Sequence, residues 1–266
     1  MRIAKLLLTV GVLACFLGLV FPAVAQVANA PDAQELLAKG LGALDPAAQR
    51  VRYEIRVMDG KGGETRSAFL VARARSDAGT VILADLRKTE KMAESATLAS
   101  PGKRGPELLL LDRGKVTPVT LKKAQEPLGK TDLWLADLLP ATKPDKAEVV
   151  GRVIFNGLRC WLVNAEYSSQ PWEFRRAQVW VREDDPVVLQ VEWRNKKDRP
   201  VHRVRIEQQR TADGVLVAGQ VTVWNVDAGS WTVLKAQAVK ADLGTPPAVL
   251  GPDLLADPKA REALWP

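Results

Sequence analysis

A mainly β fold, with a long antiparallel sheet that curls into a barrel or splits into a sandwich, is what this sequence predicts. Two observations carry that expectation. Apolar residues recur at every second position over long stretches, as at Val51, Tyr53, Ile55 and Val57, or Val187, Leu189, Val191 and Trp193. That is the period of a strand with one buried face. Turn residues such as Asn156-Gly157 and Asp227-Ala228-Gly229 punctuate these runs about every eight to twelve residues, the spacing of an all-β domain.

The chain begins with a different pattern. Arg2 and Lys5 form a short basic region, Leu6 to Val20 is almost wholly apolar, and Pro22 precedes Ala23-Val24-Ala25. This is the layout of a secretory signal peptide, cut after Ala25; Ala28-Asn29-Ala30 has the same spacing and offers a second site. Val12-Leu13-Ala14-Cys15 loosely resembles a lipidation box, but Phe16 to Val20 leaves a greasy run where a lipoprotein carries a polar tether. The expected organisation is therefore a leader over 1–25, one domain over 26–245, and a Pro-rich tail over 246–266.

Roughly 240 residues remain after cleavage, ample for a core. The formal charge of +7 falls to +5 without Arg2 and Lys5, since the leader holds no acid. The remaining charges are dispersed among opposite charges, which argues against a nucleic-acid partner and for a solvated surface. Cys160 is the only cysteine of the mature chain, so no internal disulfide is available and the core alone must hold the domain.

Helical spacing of Leu36, Leu37 and Leu41 after Pro31, Asp32 and Glu35 predicts a short amphipathic helix, weakened by Gly40 and closed by Pro46. Strands follow from Val51, over Arg66 to Ala74 and over Thr80 to Leu86. Lys88 to Arg104, polar and rich in small residues, reads as a mobile loop. A hairpin spans Glu107 to Leu121. Thr131 to Leu139 reads as a second, very apolar helix, capped by Thr131 and stopped at Pro140. From Lys146 onward the pattern is a β-meander through Lys240, with a last helix from Pro258 to Leu264.

Catalytic chemistry is scarce. His202, the only histidine, sits mid-strand with no neighbour in sequence to complete a triad, so a structural or surface role is expected. Cys160 alternates with Leu158 and Leu162, as a buried thiol would. One histidine and one mature cysteine do not build the usual zinc site, and Glu183-Asp184-Asp185 before Pro186 is turn chemistry. No catalytic residue, metal site or cofactor is expected. Tryptophan is abundant in the meander (Trp161, Trp172, Trp180, Trp193, Trp224 and Trp231), and core and cross-strand packing accounts for most of it.

Several segments together resemble the LolA/LolB-like family of periplasmic outer-membrane lipoprotein-sorting proteins. They are Glu35-Leu36-Leu37, Val51-Arg52-Tyr53, the run Gly129-Lys130-Thr131-Asp132-Leu133-Trp134-Leu135-Ala136-Asp137-Leu138-Leu139, Gly157-Leu158-Arg159-Cys160-Trp161-Leu162, Val179-Trp180-Val181, Pro186 and Val191-Glu192-Trp193. Lys130 departs from the family's usual serine, and Lys196-Lys197-Asp198 from its usual glycine. The resemblance implies a half-open, incomplete β-barrel with short capping helices around an apolar hollow. It also implies acyl chains of lipids or lipoproteins as ligand, with an inner-membrane donor complex or an outer-membrane acceptor as partners in the periplasm. Shielding acyl carbon from water is worth about 0.8 kcal/mol per CH₂. The hollow and its lid are expected at Leu36, Leu37, Leu41, Tyr53, Ile55, Trp134, Leu135, Leu138 and Trp193. An envelope sensor or scaffold using the same fold is the alternative; a carrier exchanges ligand without a stable partner, whereas a sensor holds a membrane protein.

Overall fold

The computed structural model of the protein describes residues 29–43, 48–87, 89–90, 94–102, 106–112, 114–139, 142–212, 214–241 and 250–265. The leader with Cys15, and Pro46 and Pro140, lie outside them. After helix α1 (Ala33–Gly42), six strands run in chain order: β1 (Ala48–Met58), β2 (Glu64–Ser76), β3 (Gly79–Leu86), β4 (Ser95–Ser100), β5 (Glu107–Asp112) and β6 (Lys115–Val119). A connection over 120–145 leads to β7 (Lys146–Phe155), β8 (Leu158–Glu166), β9 (Arg176–Arg182), β10 (Val188–Arg194), β11 (Pro200–Ala212), β12 (Val215–Asn225) and β13 (Ser230–Ala241). Helices α2 (Pro252–Ala256) and α3 (Pro258–Glu262) follow.

All thirteen strands form one antiparallel sheet, in the order β6-β5-β4-β3-β2-β1-β13-β12-β11-β10-β9-β8-β7. Pairing of β1 with β13 joins two meanders, with Ile55 opposite Leu234 and Tyr53 opposite Ala236. The free edges are then β6 and β7, neighbours in sequence but at opposite ends of the sheet. The sheet curls without closing, and residues 120–139 of the connection pack onto its inner face. The fold is the mainly β, half-open antiparallel barrel that the sequence leads one to expect. The Asn156-Gly157 hairpin turns with positive φ at both residues, 49° and 78°, as its two-residue geometry requires.

Strand alternation sorts the chain into two cores. The inner one gathers Val51, Tyr53 and Ile55 of β1, Phe69 and Val71 of β2, Trp161 and Val163 of β8, Val179 and Val181 of β9, Trp193 and Leu234, against Leu36, Leu37, Leu133 and Trp134. The opposite phase of β2, Leu70, Ala72 and Ala74, packs with Leu83, Leu98 and Leu111 under Leu250, Leu254, Leu255 and Leu264 of the C-terminal segment. The β2–β4 region is thus buried on both faces.

Two expectations are corrected here. The stretch expected to be a mobile loop over Lys88 to Arg104 contains β4, which pairs with both β3 and β5 and is buried from Ser95 to Ala99. Its Ser, Ala and Thr residues have the composition of a loop, yet Ala96 and Leu98 pack into the outer core and Ala99 into the inner one. The helix expected over Thr131 to Leu139 is a single 3₁₀ turn, Leu135–Asp137. Its upstream backbone is used elsewhere: Leu128 N–H bonds Leu133 C=O at 2.7 Å, Pro127 and Trp134 form a β-bridge, and Asp132 N–H donates to Thr232 Oγ1 at 2.9 Å. Tertiary partners take the hydrogen bonds a helix would need.

Candidate functional site: an apolar hollow inside the half-barrel

The α1 helix is capped by Asp32, whose carboxylate accepts from Glu35 N–H at 2.8 Å, satisfying one of the free donors of a helix start. Gly40 does more than weaken the helix. A Cβ there would lie 2.9 Å from Val181 Cγ1 and 3.3 Å from Val188 Cγ2, so glycine lets α1 settle onto β9 and β10. That approach buries Leu36 and Leu37 and aims Leu41 into the hollow.

Opposite α1, two acids of the 120–145 connection tie it to the sheet. The Asp132 carboxylate accepts from Ser230 Oγ at 2.5 Å and Thr232 Oγ1 at 2.8 Å, both on β13. Asp137 accepts from Trp134 N–H at 2.8 Å and from His202 Nε2 on β11 at 2.9 Å. The His202 side chain is 0% exposed, and its ring stacks on Trp134 with centroids 3.7 Å apart and planes 8° from parallel. Trp134 also stacks on Phe174 at 5.6 Å, and Gln125 clamps the Phe174 backbone through both amide atoms, at 2.8 and 2.9 Å. The imidazole is thus a structural pillar. Its Nδ1 is buried without a hydrogen-bond partner.

Between these elements lies a partly open cavity of about 220 Å³. Its walls are Leu41, Leu133, Leu138 and Leu139 on the helix and connection side, and Val51, Val71, Val188, Val191, Val204, Ile206, Val221 and Leu234 on the sheet side. Polar groups are few: Gln49, Tyr53, Arg73 and Asp137. Tyr53 O–H donates to Ala218 C=O at 3.3 Å; burial pushes its pKa up to about 12, against the opposing pull of Arg73. A smaller hollow of about 140 Å³ adjoins, sharing Leu41, Asp137, Leu139, Val191 and Val204 and continuing to Tyr167, Trp172 and Trp193. Those three aromatics pack on one another at 5.3 to 5.5 Å. A wider concavity of about 620 Å³ beside β7–β10 is lined by Asp145, Lys146, Glu148, Glu166 and Arg176 and is too charged for an acyl chain.

The expected site residues distribute unevenly. Leu41, Tyr53 and Leu138 line the main cavity, and Trp193 the adjoining hollow. Leu36, Ile55 and Trp134 are buried in the core behind it. Leu37 is fully buried in the same core and borders a groove with Lys143 and Pro144, and Leu135 borders a separate hollow with Leu110 and Pro118. Sequence reading missed Gln49, Arg73 and Asp137, the last of which anchors His202. A signal for two of them was present: Gln49 shares the inward phase of Val51 and Tyr53, and Arg73 that of Phe69 and Val71. Among the described residues no group of His, Cys, Asp and Glu suits a metal ion. Cys160 is buried and free, and burial raises its thiol pKa.

A protein-family profile described as "-like: Uncharacterized protein" matches residues 110–256. No curated protein matches the sequence at a significant level. A DUF1329 family protein from Desulfovibrio piger superposes with a TM-score of 0.74 at 17% identity, covering 84% of this chain and 97% of its own. A proposed outer membrane lipoprotein-sorting protein domain from Vibrio parahaemolyticus gives 0.75 at 12% identity, over 85% of this chain and 98% of its own. A LolA superfamily protein from Nitrosomonas europaea gives 0.67 at 15% identity, over 84% and 99%. At such identities each likeness is one of fold.

Proposed function

We propose that this chain, which belongs to the family of uncharacterized proteins whose profile it matches over residues 110–256, is a periplasmic carrier. It binds acyl chains of lipids or lipoproteins and moves them toward the outer membrane. The observation that supports this reading is the apolar cavity between α1, the Leu133–Leu139 turn and the inner sheet face. Water in such a space has few partners, so filling it with hydrocarbon is favourable. The free β6 and β7 edges leave the barrel open on one side, and a fold kinship with a domain described for lipoprotein sorting points the same way. The basic, apolar and Ala-x-Ala leader of residues 1–25 directs the protein to the periplasm. Catalysis is not part of this reading, because His202 is fully buried between Asp137 and Trp134 and no substrate reaches it.

The test is cavity filling. Val204 lines both hollows and is only partly buried. Val204→Trp should abolish uptake of a fluorescent acyl probe while the far-ultraviolet β signal stays intact. Undiminished uptake in the folded variant, or a membrane protein that co-purifies at fixed stoichiometry, would sink the carrier reading.

A further inference from the structure

Four polar residues stand in the wall of the main hollow, and three of them are engaged. Tyr53 O–H donates to Ala218 C=O, Asp137 accepts from Trp134 N–H and His202 Nε2, and Arg73 has an interaction of its own. Gln49 differs. It shares the inward phase of Val51 on β1 and is only 5% exposed, yet its Oε1 is buried without a hydrogen-bond partner. A buried carbonyl oxygen with no donor is costly, and nearly all such atoms in folded proteins have a partner. The cavity that Gln49 lines is the place from which one can come.

We infer that the hollow takes one hydrocarbon chain headed by an uncharged donor, a hydroxyl or an amide N–H, which Gln49 Oε1 receives. This rests on the carrier reading and deepens it by naming the chemistry of the ligand's polar end. The missing partner must carry a proton. An ionised carboxylate, an ester and an ether are acceptors only and do not complete the site. An ammonium could donate, but Arg73 stands directly across from Gln49 in the β1–β2 register, and its guanidinium repels a second cation there. Charge of either sign is also expensive to bring against a wall mainly of Leu, Val and Ile. The cavity, about 220 Å³, falls below the ~300–1,000 Å³ of usual ligand pockets; it has room for one narrow chain rather than a bundle. The adjoining hollow beyond Val191 and Leu139 extends the path for that chain.

The experiment is displacement of a fluorescent acyl probe from the delipidated full chain by dodecanol, dodecanamide, dodecyl methyl ether or laurate, all of one chain length. Dodecanol should displace at about tenfold lower concentration than the ether, which keeps the oxygen but has no proton to donate. Dodecanamide should share that advantage, and the stronger of the two identifies hydroxyl or amide as the head. Gln49→Leu, which removes the acceptor, should bring both to the ether's value and leave the ether unchanged. Without ligand the variant should melt no lower than wild type, because an unmet acceptor has left the interior. A lower melting temperature means that Gln49 is already satisfied in the free protein, and it overturns the assignment. So does equal displacement by alcohol, amide and ether, a preference that survives Gln49→Leu, or laurate as the best competitor. Those results leave the carrier reading standing; it falls only if the probe and all the competitors fail to bind.

Discussion

Asp132 and Asp137 look alike in the sequence, two acids five positions apart in one apolar run. The fold uses each as an anchor with a different partner. Asp132 holds two hydroxyls of β13 and Asp137 holds the ring of His202 on β11, so the covering connection is fastened at two points across the inner face. The Asp137 side chain is 5% exposed. Removing it in Asp137→Ala strands Trp134 N–H and His202 Nε2 away from water, and each stranded donor costs ~1–3 kcal/mol. Urea denaturation should therefore show a lower midpoint with an unchanged slope, and Asp137→Asn should recover part of the loss. A variant as stable as the wild type would mean that water reaches the His202–Trp134 stack.

The C-terminal helices behave as a second covering element, on the outer face. Leu254 and Leu255 sit on the outward phase of the β2–β4 strands, while a polar seam fixes their position. Arg261, 3% exposed, meets Glu94 and the Leu255 carbonyl. Trp265 Nε1–H donates to Asp85 at 3.2 Å, and Arg87 lies 3.9 Å over the indole. Burial pushes the Asp85 carboxyl upward, more than Trp265 and Arg261 pull it down. A carboxyl with a raised folded-state pKa binds its proton more tightly in the native state. Its contribution is therefore best below the unfolded value of about 3.9 and is lost as pH rises through the folded value. Asp85→Asn removes this dependence and keeps an acceptor for Trp265. Measured in denaturant from about pH 3 to pH 6, a window bracketing the ordinary carboxyl pKa, the variant should gain stability relative to wild type as pH rises. A constant difference across that range would show that Asp85 titrates normally.

At the scale of the whole molecule, the sheet's order decides where the opening falls. Because β1 pairs with β13, the break in the barrel lies between β6 and β7 rather than between the first and last strands. The segment that joins those two strands is therefore the one that covers the hollow. The rest of the chain's fate depends on its first 25 residues. Their basic, apolar and small-residue pattern predicts export and a mature N-terminus at Gln26, or at Pro31 if the second site is used. N-terminal sequencing of protein from its own envelope checks this. An intact Met1 or an acylated Cys15 would overturn both the leader and the periplasmic assignment.

Strand content and facing were legible in the sequence because they depend on local alternation: Val51, Tyr53, Ile55 and Val57 mark the inner phase of β1 with no knowledge of their partners. The Asn156-Gly157 turn was equally local. Leu41, Tyr53, Leu138 and Trp193 could be named for the hollow, but from family resemblance rather than from spacing. What only the tertiary structure decided rests on contacts between distant residues. Ser95 to Ser100 reads as loop until β3, β5 and the C-terminal helices cover it, since small side chains give no periodic signal. Trp134 and its neighbours carry helical spacing, yet Thr232 and the Leu128–Leu133 pairing claim their backbone. His202 has no catalytic or structural partner within reach along the chain, because its partner lies 65 positions away. Gln49 and Arg73 share a rung only once β1 and β2 are in register. Alternation is written into each strand by the pleat, whereas pairing, depth and the company a polar side chain keeps are set by which strands meet.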